Sequence, residues 1–291
     1  MKAYLEKFFK EFEYNECDAR VLLDAYEKIS TTPNAKDLLS TLLTIYESNG
    51  IKSWREDVLE TRSSKIAEIT QIHPYTVDLV VTICLTRHLK ELYKSRGISD
   101  EIYHDTVLDL KWKLEECKLV KGVIGSFVAF WFGGFFDLTR FALGRLQFEV
   151  INFGASYNKN GRVLTPSDKV INVHIPRTGT PIDKESCDKS YALAREFFKR
   201  NAGENAPFVC SSWLLDPEHF SILDKKSNIY RFISEYDVFE SGVTDGKDLW
   251  RLFDTDERDP DKLPRDSSLR RIYIKRIQEG KPLGRGRGVK F

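Results

Sequence analysis

The stretch VINVHIPRTGTPIDKESCDKSYALAREFFKR, Val170 to Arg200, changes character twice within a few turns of chain. A β-branched run, Val170 to Ile175, gives way to a short Arg-Thr-Gly-Thr-Pro turn, after which Tyr191, Ala194, Phe197 and Phe198 recur at helical spacing. A strand that hands over to a helix through a tight turn predicts an α/β layer. The first amides of such a helix have no partners inside it, which makes the turn a natural place for an anion. Asp183, Glu185 and Asp188 supply the competing explanation, because acids at a helix start cap and neutralise that end themselves.

Working outward, LGRLQFEVINF alternates Leu146, Phe148 and Val150 against Arg145, Gln147 and Glu149, which predicts a strand with one buried face. YNKNGRVLTPSD is polar, carries an Asn-Gly pair and reads as a turn. PFVCSSWLLDP predicts a buried strand, SNIYRFISEY a helix opened by Ser227 or Asn228, DVFESGV a strand and KDLWRLF a small helix. Leu269, Ile272, Tyr273 and Ile277 predict a last helix closed by Gly280, with KPLGRGRGVKF left as a glycine-rich tail or edge strand.

The chain before this is helical in pattern. Two short amphipathic helices around Leu5–Phe12 and Val21–Tyr26 precede one ending at Gly50, then Trp54 to Thr70, Pro74 to Tyr93, and Ser99 to about Cys117. Two domains are expected, an all-helical one over 1–120 and a mixed α/β one over 121–291, an α+β fold in which the first packs on the second. The uncharged run GVIGSFVAFWFGGFF is too short and too glycine-rich for a membrane span, which needs about 20 residues, and reads as buried core.

In composition, 41% apolar and 31% charged residues fit a globular chain. Residues 1–118 hold 17 basic against 21 acidic side chains and residues 119–291 hold 28 against 23, so neither half has the charge of a dedicated nucleic-acid binder. Nine Lys or Arg against two acids from Arg265 onward make a basic end in which GRGRG has the chemistry to follow phosphates, though few aromatics interleave it. The five cysteines are scattered without a CxxC pair, which suggests neither a disulfide framework nor a zinc site and fits a cytoplasmic setting. His73, His88 and His104 lack the HxxE or ExxH spacing of a helical metal site and read as surface or packing residues; no metal is expected.

The phrases FALGRLQFE, VINVHIPRTGTP, FVCSSWLLDP and SNIYRF, in that order behind a helical region, resemble a bacterial acyltransferase family that pairs an N-acyltransferase N-terminal domain with a GNAT-like C-terminal domain. The resemblance implies a mixed sheet in which two parallel strands splay apart around an acyl-CoA. Val170–Ile175 and Phe208–Leu214 would be those strands, with Arg177, Thr178, Gly179 and Thr180 as the pyrophosphate loop. The sequence departs from the usual signature of Gln or Arg, two residues, Gly, any residue, then Gly or Ala: it has one glycine, and Pro181 where an amide donor is wanted.

His174 shares a strand face with Asn172 near the end of the first splayed strand and suits relay of a proton from an incoming ammonium; the alternative is a structural histidine. Glu149 is the rival base, acting through water, unless it is an exposed strand position. By resemblance Asn228 contacts the pantetheine and Tyr230 protonates the leaving thiolate, with Tyr236 in reserve, although Ser227-Asn228 is also an ordinary helix opening. Cys210 beside Ser211 and Ser212 suggests a covalent route, but it lies in a buried strand without a GxSxG elbow.

The expected function is acyl-CoA-dependent N-acyl transfer, acetyl-CoA being the first choice of donor, to a small-molecule or peptide amine, without a membrane or nucleic-acid partner. The alternatives are a GNAT-shaped, non-catalytic sensor that binds CoA or a nucleotide, and a hydrolase or acyl carrier using Cys210.

Overall fold

A computed structural model describes residues 1–49, 58–159, 161–244, 246, 248–281 and 283–291. The expected helix end at Gly50, helix start at Trp54–Asp57, and turn, helix and tail positions Asn160, Lys247 and Pro282 lie outside the described residues. The chain forms two compact units, Met1–Phe141 and Ala142–Phe291. The fold is α+β, a helical region followed by a mixed sheet with helices.

The first unit contains α1 (Lys2–Glu11), α2 (Glu16–Thr31), α3 (Pro33–Asn49), α4 (Val58–Thr70), α5 (Pro74–Ser95) and α6 (Asp100–Lys121), then a 3-10 turn (Ala129–Phe132) and the single turn α7 (Gly133–Phe136). Local signals set the ends. Ser99 Oγ accepts the Ile102 N–H at 3.3 Å, Asp100 and Glu101 fill the first turn of α6, and Gly122 closes it in the left-handed region. α5 is buried on nearly all sides and packs against α1, α2, α3, α4 and α6, as its dense apolar run requires. Thr82 and Thr86 are tolerated inside it because their hydroxyls donate to the carbonyls of Asp78 and Ile83 at 2.6 and 2.5 Å. The apolar stretch after Gly122 belongs to this unit, its 3-10 turn lying against α5. His104 stacks on Phe12, His88 meets Tyr46 edge-on, and His73 accepts the Tyr75 N–H at the start of α5.

The sheet contains β1 (Arg140–Leu143), β2 (Leu146–Asn152), β5 (Lys169–His174), β6 (Phe208–Ser212), β7 (Asp237–Val243) and β8 (Gly284–Lys290), in the order β1-β2-β5-β6-β8-β7. β3 (Tyr157–Lys159) and β4 (Arg162–Leu164) form a separate hairpin inside the stretch expected to be only a turn. α8 (Lys184–Ala202) follows β5; α9 (His219–Ile222) and α10 (Asn228–Ser234) follow β6; α11 (Leu249–Phe253) and α12 (Ser268–Gln278) lie between β7 and β8. β5 and β6 are parallel, while β2/β5, β6/β8 and β7/β8 are antiparallel.

Register sorts the strands into two faces. Phe148, Ile171, Val173, Phe208 and Cys210 share the face covered by α8, where Tyr191 meets Phe208 at 4.8 Å between ring centroids. On the other face Val170, Val209 and Val289 are buried with Phe153, Tyr157 and Leu164 of the hairpin region. The same face then turns polar through Glu149, Asn172, His174, Ser211, Arg285 and Arg287.

The glycine-rich tail is not an edge strand. β8 lies between β6 and β7; Gly284 and Gly286 face the segment Trp213–Asp216 that crosses over it, and Gly288 faces Tyr236. A Cβ on Gly286 would stand 2.0 Å from the Leu215 carbonyl oxygen. The alternation of glycine with arginine is therefore a packing requirement on one face and a row of guanidinium groups on the other. Gly286→Ala is expected to lower unfolding free energy by about 3 kcal/mol, the upper end of the usual overpacking cost. Gly242→Ala on β7, with nothing within 4 Å of its new methyl group, should change it by less than about 0.5 kcal/mol; urea denaturation checks both.

Candidate active site

The parallel pairing of β5 with β6 covers Ile171–Phe208, Asn172–Val209 and Val173–Cys210, with the Ile171 N–H donated to the Pro207 carbonyl at 3.0 Å. It extends no further, although β5 runs on to His174 and β6 to Ser212. β6 instead follows its other neighbour: Ser211 and Ser212 pair with Arg287 and Gly286 of β8. The strand stops at Ser212, short of the expected Leu214. There the Ser212 hydroxyl accepts the Leu214 N–H at 3.1 Å and turns the chain into the 3-10 segment Trp213–Leu215. Asp216 fixes the turn by accepting N–H groups of Glu218 and Gly284, each at 3.1 Å.

At the end of β5 three polar side chains meet. Glu149 Oε1 is 2.6 Å from His174 Nε2 and accepts from Asn172 Nδ2 at 3.0 Å, and Asn172 Nδ2 is 3.1 Å from His174 Nε2. The register explains the meeting: Glu149 stands opposite Asn172, Gln147 stands opposite His174, and all four side chains share one face. Glu149 is not an open strand position, since its side chain is 15% exposed and that of His174 20%. At 2.6 Å a proton must lie between carboxylate oxygen and imidazole nitrogen. With Glu149 ionised and Nε2–H donating to it, the lone pair of His174 is on Nδ1.

The turn after β5 is held from outside. Arg145 donates to the carbonyls of Pro176 at 3.0 Å, Thr180 at 2.9 Å and Pro181 at 3.1 Å, and its own N–H is donated to Ser190 Oγ on α8 at 2.7 Å. Burial lowers the Arg145 pKa from its ordinary value. Sequence reasoning assigned Arg145 only to an alternating strand pattern, because a side chain that binds carbonyls thirty residues away leaves no local mark. Gly179 sits at φ +76°, where an L side chain is strained, and the Thr178 and Thr180 hydroxyls are 2.7 Å apart. Arg177 is paired with Asp254 at 2.8 Å, and Arg270 reaches the same carboxylate oxygen at 2.6 Å. Asp183 caps α8 by accepting the Ser186 N–H at 3.0 Å, which with the Ser186 hydroxyl holds its carboxyl below the usual range.

Asn228 and Tyr230 stand in the first turn of α10, which packs on α8 and on the 3-10 segment after β6. The Tyr230 N–H is donated to Ser227 Oγ at 3.1 Å and its ring meets Phe220 edge-on. Tyr236 is buried, its hydroxyl 2.8 Å from that of Tyr191, and burial raises its pKa well above the ordinary value. The Cys210 thiol is buried on the α8 face and pushed up to about 12, which leaves little thiolate. His219, passed over in the sequence, is buried between the Leu214 carbonyl at 2.8 Å and the Tyr273 hydroxyl at 2.5 Å, and burial lowers its pKa. Among the described residues no group of three His, Cys, Asp or Glu side chains is arranged to hold a metal, and no helix is long and apolar enough to cross a membrane.

Because one guanidinium ties three carbonyls of the turn, Arg145→Lys is expected to loosen it while keeping the charge. Amide exchange over residues 177–183 should speed up at least tenfold, with little change in the hairpin β3/β4; hydrogen exchange read by mass spectrometry checks this.

With this geometry in view, comparisons with known proteins are informative. The N-acyltransferase N-terminal domain matches residues 3–138 and the GNAT-like C-terminal domain residues 140–290. A crystal structure of an acyltransferase in complex with decanoyl-CoA and teicoplanin is similar with a TM-score of 0.72 and 20% identity, over 98% of this chain and 86% of that one. A mutant acyltransferase in complex with octanoyl-CoA is similar with a TM-score of 0.75, again at 20% identity over 98% and 86% of the two chains. An acyltransferase in complex with decanoyl-CoA gives a TM-score of 0.64 at 20% identity over 98% of each chain. No curated protein matches. The helical first half and the parted sheet that follows it thus belong together: the chain is a member of the GNAT-like family whose C-terminal domain is preceded by an N-acyltransferase N-terminal domain.

Proposed function

We propose that this protein transfers an acyl group from an acyl-CoA to an amine. The observation that carries the proposal is the Glu149–His174 pair, 2.6 Å apart, on the sheet face beside the point where β5 and β6 stop pairing. A parallel pair that parts leaves strand edges able to hydrogen-bond the amides of a pantetheine arm, as an added strand would. The turn Arg177–Thr180 lies at the exit of β5, where the diphosphate of that arm would emerge toward α8. Decanoyl-CoA, octanoyl-CoA and CoA in the similar acyltransferases support such a donor and favour a medium chain over acetyl. Teicoplanin in one of those complexes supports a small-molecule acceptor.

In the proposed reaction an acceptor ammonium gives one proton to His174 Nδ1, with Glu149 stabilising the imidazolium that forms. The freed amine attacks the thioester carbonyl carbon, a C–N bond forms, and the C–S bond breaks with its electron pair leaving on sulfur. The second nitrogen proton balances that charge, and Tyr230 is the proposed relay to the thiolate, with Asn228 contacting the pantetheine. Asn172 orients the pair through its hydrogen bond to Glu149. Positioning accounts for much of the acceleration in such a site.

A second reading, binding of CoA without turnover, has a specific observation in its favour. Asp254 already holds Arg177, and Asp183 already caps α8, so the loop is less electropositive than a dedicated diphosphate site.

His174→Ala and Glu149→Gln are each expected to cut kcat with octanoyl-CoA and a panel of amines by roughly 10²- to 10⁴-fold, while the rise in Tm caused by octanoyl-CoA persists. Cys210→Ala should leave kcat within threefold. Wild-type protein that is stabilised by octanoyl-CoA yet releases no CoA with any amine would support the sensor instead. Absence of stabilisation by both octanoyl-CoA and acetyl-CoA would remove both readings.

A further inference from the structure

Gln147 has an unusual combination of properties. It is 1% exposed, and its Oε1 has no hydrogen-bond partner. It stands directly opposite His174 in the β2/β5 ladder and two residues before Glu149, on the same face as both. Cross-strand neighbours of this kind have Cβ atoms about 5 Å apart. The alternating pattern of LQFEV would leave Gln147 in solvent, yet it is more deeply buried than Glu149. A buried acceptor oxygen without a donor destabilises the fold, and native proteins rarely keep one without a use.

We propose that Gln147 Oε1 receives an N–H of the acceptor amine and so positions its nitrogen against His174. The inference rests on the acyl-transfer reading above and adds a positioning residue to it. A carbonyl oxygen is the matching partner for an amine that carries N–H donors before and after it gives up a proton. Glu149 does not serve, because it is already engaged by His174 and Asn172. Gln147 thus selects an N–H nucleophile and aligns it, while His174 takes the proton. An oxygen nucleophile, with one O–H to share between the two groups, would lose one of these contacts.

Gln147→Met, similar in length but without the acceptor, and Gln147→Glu, which keeps an acceptor oxygen, test this with octanoyl-CoA as donor and hydroxylamine as the probe amine. For Gln147→Met the KM for hydroxylamine should rise at least tenfold, the KM for octanoyl-CoA should stay within twofold, and the Tm without ligand should be unchanged or higher. Gln147→Glu should keep the KM for hydroxylamine within about threefold. A hydroxylamine KM that does not move, a rise falling on octanoyl-CoA instead, or a lower ligand-free Tm for Gln147→Met would overturn the assignment. Failure of the wild type to release CoA from octanoyl-CoA with hydroxylamine and with every amine of the panel would overturn the acyl-transfer reading first, and this assignment with it, which separates the two failures.

Discussion

The second unit depends on a choice β6 makes at Cys210. A parallel ladder can only continue while both strands keep the same heading, and β6 is tied on its other edge to β8 through Ser211 and Ser212. The glycines of β8 allow the crossing segment Trp213–Asp216 to lie close over it, and Asp216 anchors that segment to the Gly284 N–H. Beyond Cys210 β6 keeps its pairing with β8 and no longer pairs with β5. The antiparallel register of β2 on β5 is what places Gln147, Glu149, Asn172 and His174 on one face, beside the end of that short parallel pairing.

From that constraint the rest of the site follows. β5 ends in a turn whose Pro176, Thr180 and Pro181 carbonyls accept from Arg145. Asp254 and Asp183 already satisfy part of the turn's charge and of the amide capacity at the start of α8. Arg177 and Arg270 meeting on one carboxylate oxygen links the turn to α11 and α12, so the segment between β7 and β8 has a part in holding the loop. Cys210 lies on the opposite face under α8, away from the polar cluster, as a small core residue.

Much of this was legible in the sequence, and the reasons it was are physical. The helical half is legible through apolar periodicity and start signals such as Ser99 with Asp100 and Glu101, and Pro74, whereas the last helix runs on past the expected Cys117 to Lys121. β2, β5, β7 and α8 were readable because each has a pattern longer than its own ambiguity. The hairpin β3/β4 was read only as a turn, since three-residue strands carry almost no periodic signal. β8 reads as a tail or edge because Gly-Arg alternation has low strand propensity; its reason lies in Leu215 and Asp216, seventy residues earlier. The Glu149–His174 pair could be nominated residue by residue, but that one carboxylate would reach one imidazole depends on the register of two strands joined by a long connection. Gln147 was missed because alternation predicts which face a side chain takes, and says nothing of whether that face is covered.

The central claim is that the parting of β5 from β6 receives an acyl-CoA. Hydrogen exchange of the full-length protein with and without saturating octanoyl-CoA tests it most directly, at the resolution of single strand ends. Slowed exchange is expected at residues 173–180 and 210–213, on both sides of the gap and in the turn, with the hairpin β3/β4 unaffected. Unchanged exchange at both strand ends in protein that demonstrably binds octanoyl-CoA would contradict it.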